Sequence, residues 1–230
     1  MSKTFVVGDI HGAYRALRQC LERSGFSGRD HLICLGDVCD GWPETKESVD
    51  ELLKIENLTY ILGNHDFWAY QWMLSGKAED VWLSQGGRAT VRSYADGVPQ
   101  HHVKFFEKAL PYFLLGNKLF VHAGIDPQKP LEEQDLNTFL WDRTLTHKAL
   151  ELYARKDNAS LTPFDEVYVG HTPILFKKPI LSGSVWLMDT GAGWSGVLSL
   201  MNTDTKEIFV SDPVPQLYPG VEGRNGKKSL

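Results

Sequence analysis

Five short apolar runs in this chain each end in a small set of Asp, His or Asn residues, and that recurring ending constrains the fold more than any other feature. After 4–7 comes Gly8-Asp9-Ile10-His11-Gly12, and after 31–35 comes Gly36-Asp37-Val38-Cys39-Asp40-Gly41. After 58–62 comes Gly63-Asn64-His65-Asp66, after 118–121 comes His122, and after 166–169 comes Gly170-His171-Thr172-Pro173. Short runs that are apolar throughout read as strands buried on both faces. In a parallel α/β sheet the carboxyl ends of the strands lie along one edge, where sites form. The pattern therefore predicts one edge lined with carboxylates and imidazoles.

Runs at 184–188, 197–201 and 207–210 also read as strands. Helical spacing separates the early ones. In 14–24, Leu17 and Leu21 stand at i, i+4 with Gly25 placed to end the helix, and 45–56 carries Val49, Leu52, Leu53 and Ile55. This βαβαβ order predicts a right-handed parallel sheet in the first third of the chain. The end of the chain is strand after strand without a helix, which predicts an antiparallel or mixed second sheet. Segment 67–111 is aromatic-rich (Phe67, Trp68, Tyr70, Trp72, Trp82, Tyr94) and reads as a helical insertion covering the sheet ends. The expected division is one α/β domain over 1–212 that contains this cap, and a loose tail over 213–230 with Pro213, Pro215, Pro219 and a basic run.

Composition narrows the class. With 230 residues, 42% of them hydrophobic and 23% charged, the chain is neither disordered nor a small disulfide scaffold. A formal net charge of −5 argues against a nucleic-acid duplex as partner. Cys20, Cys34 and Cys39 form no C-x-x-C pair and read as reduced thiols. No leader-like apolar segment precedes the first strand, and no stretch approaches the ~20 apolar residues of a membrane span. The expectation is a cytoplasmic protein that does not engage membranes.

Oxygen and imidazole donors gathered at one edge suit a divalent transition metal, and the lack of Cys donors argues against structural zinc. Any one of these endings alone is ordinary turn chemistry. Five in succession read as a metal site.

The ordered series GDIHG, GDVCDG, GNHD, VHAG and GHTP resembles the calcineurin-like metallophosphoesterases, within them the phosphoprotein-phosphatase branch, and most closely its small bacterial enzymes and diadenosine tetraphosphatases. Gly86-Gly87-Arg88-Ala89-Thr90 with Ser93-Tyr94, and Asp189-Thr190-Gly191-Ala192, support the bacterial group. The resemblance implies an α/β sandwich of two mixed β-sheets flanked by helices. It implies a phosphoric ester hydrolase holding two divalent metal ions, manganese first, with iron, zinc or cobalt as further choices. Asp9, His11 and Asp37 would hold one ion; Asp37, Asn64, His122 and His171 would hold the other, with Asp37 shared. A metal-bound hydroxide would attack phosphorus, His65 would protonate the leaving oxygen, and Asp40 would orient His65. The implied substrates are phosphomonoesters, phosphoserine and phosphothreonine in proteins among them; the alternative is a dinucleoside polyphosphate or a phosphodiester. A catalytically inert scaffold would not need the Asp40/His65 pair.

Two positions depart from the eukaryotic-type pattern. Gly41 and Leu62 stand where that pattern has arginines, so one phosphate-binding arginine is missing from its usual place. Arg143, in Trp141-Asp142-Arg143, resembles the family's W-x-R arginine and is the leading phosphate clamp, and Arg88 is a second. Asn64 would also meet substrate. Asp66 reads as a hydrogen-bonding support, Cys39 and the Trp68/Trp72 pair as packing, and His31, His101, His102 and His147 as surface or packing residues.

Overall fold

The computed structural model describes residues 2–224. Two five-stranded mixed sheets face each other with helices on both outer sides. The first has the order β10-β9-β1-β2-β3, built from β1 (Thr4–Val7), β2 (His31–Cys34), β3 (Leu58–Tyr60), β9 (Ser199–Asn202) and β10 (Ile208–Val210). Its β1, β2 and β3 are parallel, joined through α1 (Tyr14–Ser24) and α2 (Thr45–Leu53), as the βαβαβ order requires. The second has the order β4-β5-β6-β8-β7, from β4 (Tyr112–Leu115), β5 (Lys118–Val121), β6 (Glu166–Val169), β7 (Ile180–Ser182) and β8 (Val185–Leu187).

Alternation along the strands explains the sandwich. Val6, Ile33, Phe120, Tyr168 and Trp186 point inward and form the layer between the sheets. Their neighbours Phe5, Val7, Leu32 and Cys34 point outward under α1 and α2. Leu119, Val121, Val167, Val169, Val185 and Leu187 do the same under α7 (Leu136–Trp141) and α8 (Thr144–Arg155). Strands buried on both faces read as continuous apolar runs, the pattern seen in the sequence.

The structure refines the sequence reading at the late strands, at two edge strands and at the end of the chain. The expected mixed second sheet is present, but the late strands divide between the two sheets: β7 and β8 join the second, and β9 and β10 extend the first, β9 running antiparallel to β1. The edge strands β4 and β7 did not stand out, because Leu114, Leu115 and Leu181 are exposed and no two-sided burial marks them. The segment 213–224 is not loose. It forms α9 (Val214–Leu217) and buries Tyr218, whose ring stacks on Trp42 at 5.1 Å. A proline at the start of a helix is favoured rather than disruptive. The basic run beyond Arg224 lies outside the described residues.

Between β3 and β4 run α3 (Asn64–Ser75), α4 (Asp80–Trp82), a π turn (Leu83–Gly87), α5 (Arg88–Ser93) and α6 (Gln100–Glu107). Among the described residues no helix is long and apolar enough to cross a membrane.

Candidate metal centre and its acid–base pair

The loops after β1 and β2 are stitched together by backbone bonds: Ile10 and His11 donate to the Asp37 carbonyl (3.0 and 2.8 Å), and Trp42 donates to the His11 carbonyl (2.9 Å). His11, Asp37, Asp40 and His171 all adopt positive φ, between 50° and 75°. That region is costly for residues with a Cβ and persists where surrounding structure holds it. Here it turns four side chains into one buried space. Close backbone approach completes the packing. A Cβ at Gly170 would collide with Asp9 Oδ1, and one at Gly63 with Asp37.

Two donor groups share Asp37. In the first, His11 Nε2 lies 3.9 Å from Asp9 Oδ2 and 3.7 Å from Asp37 Oδ2. His11 Nδ1 is 2.9 Å from the Cys39 carbonyl, an acceptor only, so its proton sits there and Nε2 presents a lone pair. In the second, His122 Nδ1 donates to the Leu35 carbonyl (2.8 Å), leaving the Nε2 lone pair 2.9 Å from Asn64 Oδ1 and 3.5 Å from Asp37 Oδ1. His171 Nδ1 meets the same Asn64 oxygen at 2.8 Å, while its Nε2 is buried with no hydrogen-bond partner among the described residues. Either tautomer of His171 leaves one buried polar position unmet. Donor atoms of Asp9, His11 and Asp37, and of Asp37, His122 and His171, fall within 4.8 Å of one another.

Such a cluster of facing lone pairs is unfavourable unless a cation enters it. The imidazoles do not take up that charge as protons, while the buried carboxylates are pushed toward keeping theirs until a metal cation replaces them. Burial drives His122 down to about 4 and His11 well below its usual value, and it raises Asp37 to about 6. Asp9 is raised well above the carboxylate range, first by burial and then by facing Asp189 and Asp37. The donor set, hard oxygens with borderline imidazoles, fits two divalent transition ions.

Beside the cluster stands a hydrogen-bonded pair, His65 and Asp40. His65 and Asn64 occupy the first turn of α3, and Asp40 follows β2. His65 Nδ1 is 2.6 Å from Asp40 Oδ2, which also accepts the Trp82 indole N–H (2.7 Å), while Asp40 Oδ1 accepts the Thr90 hydroxyl (2.7 Å). Burial lowers His65 to about 3 and raises Asp40 to about 7. Asp66 accepts from the Val38 and Cys39 amides (2.8 and 3.0 Å) and so braces the loop that carries Asp37 and Asp40.

All the expected metal-site and acid–base residues therefore meet in one place. Arg143 is exposed near them, 3.4 Å from the Thr172 hydroxyl, and its charge lowers His65, His122 and His171. Arg88 is exposed at the start of α5, with no hydrogen bond or ion pair to these groups among the described residues. Cys39 is fully buried, its thiol pushed well up by burial, and it packs in the core. His31 bonds Thr59, and His102 is taken up by Tyr94 and Asp50.

Three residues that meet the site were not assigned to it in the sequence, although Trp82 stood among the aromatics of 67–111 and Thr90 in the motif at 86–90. Trp82 and Thr90 reach Asp40 from within the insertion. Arg224 arrives from the end of the described chain, with Nη1 3.3 Å from His11 Nε2. No local pattern links these positions to the motifs.

Comparison with known proteins gives a consistent result. The sequence model of one family, the calcineurin-like phosphoesterases, matches residues 2–195. Serine/threonine-protein phosphatase 1 of Salmonella typhimurium is 29% identical over 85% of this chain and 89% of its own length. A symmetrical bis(5'-nucleosyl)-tetraphosphatase of Pseudomonas fluorescens is 25% identical over 94% of this chain and 98% of its own. Among solved structures, one proposed to be a diadenosine tetraphosphatase superposes with a TM-score of 0.68 at 19% identity, covering 92% of this chain and 93% of that one; it shares the fold.

Proposed function

Because this chain belongs to the calcineurin-like phosphoesterases, hydrolases of phosphoric esters, we propose that it is a two-metal phosphatase acting on phosphomonoesters, phosphoserine and phosphothreonine in proteins among them. The observation that carries this reading is the His65–Asp40 pair standing beside a cluster of buried lone pairs. Asp9, His11 and Asp37 would hold one ion, and Asp37, Asn64, His122 and His171 the other. Manganese is the first choice; such a donor set also takes iron, zinc or cobalt, and supply decides among them. When bound, the ions supply Lewis acidity toward water and the phosphoryl oxygens.

The protein's own groups do the rest. Asp40 fixes the His65 ring through Nδ1 and leaves Nε2 for the leaving oxygen. A phosphate dianion in front of the ring and a carboxylate behind it both favour the imidazolium, which counters the effect of burial. Proton delivery then converts a poor alkoxide leaving group into an alcohol. Arg143 takes a non-bridging phosphoryl oxygen at the rim, with Arg88 as a second clamp.

The test is hydrolysis of p-nitrophenyl phosphate and a phosphopeptide by manganese-loaded protein. Activity is expected to vanish with chelator and in Asp37→Asn. A wild type that stays inert with manganese, iron, zinc and cobalt would overturn the reading.

A second reading, hydrolysis of a dinucleoside polyphosphate, draws on a specific arrangement. Trp68 packs edge-on against His65 (5.3 Å) and against Trp141 (4.9 Å), which is 36% exposed. A flat nucleoside leaving group would find rings there. Comparing products from diadenosine tetraphosphate and a phosphopeptide separates the two. Trp72, by contrast, packs on Trp82 and Tyr94 within the insertion.

A further inference from the structure

Gly41 lacks the side chain whose absence stood out in the sequence, and the space beside it is filled by an arginine from the far end of the described chain. The Arg224 stem runs along a trough made by three glycines from three segments. A Cβ on Gly41 would lie 2.9 Å from Arg224 Cγ, one on Gly86 3.3 Å from Cγ, and one on Gly193 3.0 Å from Cδ. A side chain at Gly41 would have to displace the stem, and one at Gly86 or Gly193 would press against it. The approach to the trough is also anchored. Tyr218 is buried on Trp42, Gly223 passes so close to the Trp42 ring that a Cβ would clash, and the Arg224 amide donates to the Gly193 carbonyl (2.9 Å).

The guanidinium at the end of this track is placed differently from a structural arginine. It lies 4.7 Å over the Trp194 ring, 3.3 Å from His11 Nε2, and at the limit of reach (3.5 Å) from Gln85. Among the described residues no carboxylate pairs with it, and its buried Nε has no hydrogen-bond partner. Its charge nevertheless falls on Asp9, Asp37, Asp40 and Asp189 together. A planar fork of donors, held by packing beside the His11 donor group and with no carboxylate in ion-pair range among the described residues, suits a phosphoryl group.

We propose that Arg224 is a phosphate-binding residue of the active site, supplied by the C-terminal segment across the glycine trough in place of the arginine missing at position 41. Its ligand is a non-bridging oxygen of the substrate phosphoryl group or of released inorganic phosphate. The proposal rests on the phosphoester reading above.

Manganese-loaded wild type, Arg224→Ala and Arg224→Lys are compared by calorimetric titration with inorganic phosphate, by metal analysis, and by kcat and KM for p-nitrophenyl phosphate. Arg224→Ala is expected to bind phosphate about tenfold more weakly or worse, since charge-assisted bonds are lost. KM should rise while metal content holds. Arg224→Lys should recover only part, because an ammonium lacks the fork. Ethylguanidinium added to Arg224→Ala should restore phosphate binding, which a folding defect would not allow. Phosphate affinity in Arg224→Ala within about twofold of wild type, less than one lost charge-assisted bond would give, overturns the proposal. So does tighter metal retention without a change in phosphate binding, which would make Arg224 a resident counter-ion to the carboxylates. A wild type that binds phosphate but turns over no phosphoester defeats the functional reading alone, and the phosphate titrations still decide the role of Arg224.

Discussion

His65 Nδ1 lies 2.6 Å from Asp40 Oδ2, and that same oxygen accepts the Trp82 indole N–H at 2.7 Å. With Thr90 on the other oxygen at 2.7 Å, the carboxylate is held at both ends and cannot rotate away from the ring. The imidazole is thus oriented by residues of the insertion as well as by its own loop. The helical segment between β3 and β4 therefore fixes the orientation of this ring through Asp40.

His65→Ala is expected to lower kcat by about 10²- to 10⁴-fold, the usual range for a general acid. Metal content should not change, because His65 lies outside both donor groups. Thr90→Val should lower kcat by a smaller factor, leaving KM near that of wild type, since it loosens Asp40 without touching substrate. Steady-state kinetics with metal analysis on both variants checks this. Loss of metal in His65→Ala would contradict the assignment.

Asp37 stands between the two donor groups, Oδ2 toward His11 and Oδ1 toward His122. Asp37→Asn should therefore deplete both ions, whereas His11→Ala and His122→Ala should each deplete one. Stoichiometry by elemental analysis after gel filtration reads the difference directly. Equal losses in all three variants would mean that Asp37 is not shared.

The five strand-end motifs were legible because each couples a two-sided apolar run to a polar turn, and a parallel sheet brings such ends together. Legibility stopped where contacts depend on the path of the chain in space. Trp82 and Thr90 meet Asp40 across 42 and 50 residues, with no periodicity to mark them. Arg224 meets Gly41 only because the 213–224 segment folds back, with Pro215 inside the short helix α9 and not ending it. The edge strands β4 and β7 were obscured for a different reason: one-sided burial leaves no run to read.

The layer between the sheets holds the two halves of the site in register. Phe120 is fully buried there, stacked on Tyr168 at 4.6 Å. Phe120→Ala should cost about 3–5 kcal/mol of stability, because a cavity adds to the lost burial. Urea unfolding measures it. A cost under about 1 kcal/mol would mean that the sheets collapse to fill the gap.

Glu166 joins the sheets from the other end. It accepts from Lys206, Tyr168 and Trp186, and although burial pushes its carboxyl up, these bonds outweigh burial and hold it below the usual 4.5. A carboxylate with a depressed folded pKa adds stability that is present above its unfolded value and is lost as pH falls through the folded one. Wild type should therefore exceed Glu166→Gln in Tm at neutral pH, and the gap should close in acid below 4.5. Thermal melts of both proteins across that interval test the sign. A gap that stays constant, or widens in acid, would show that Glu166 acts through shape and not through charge.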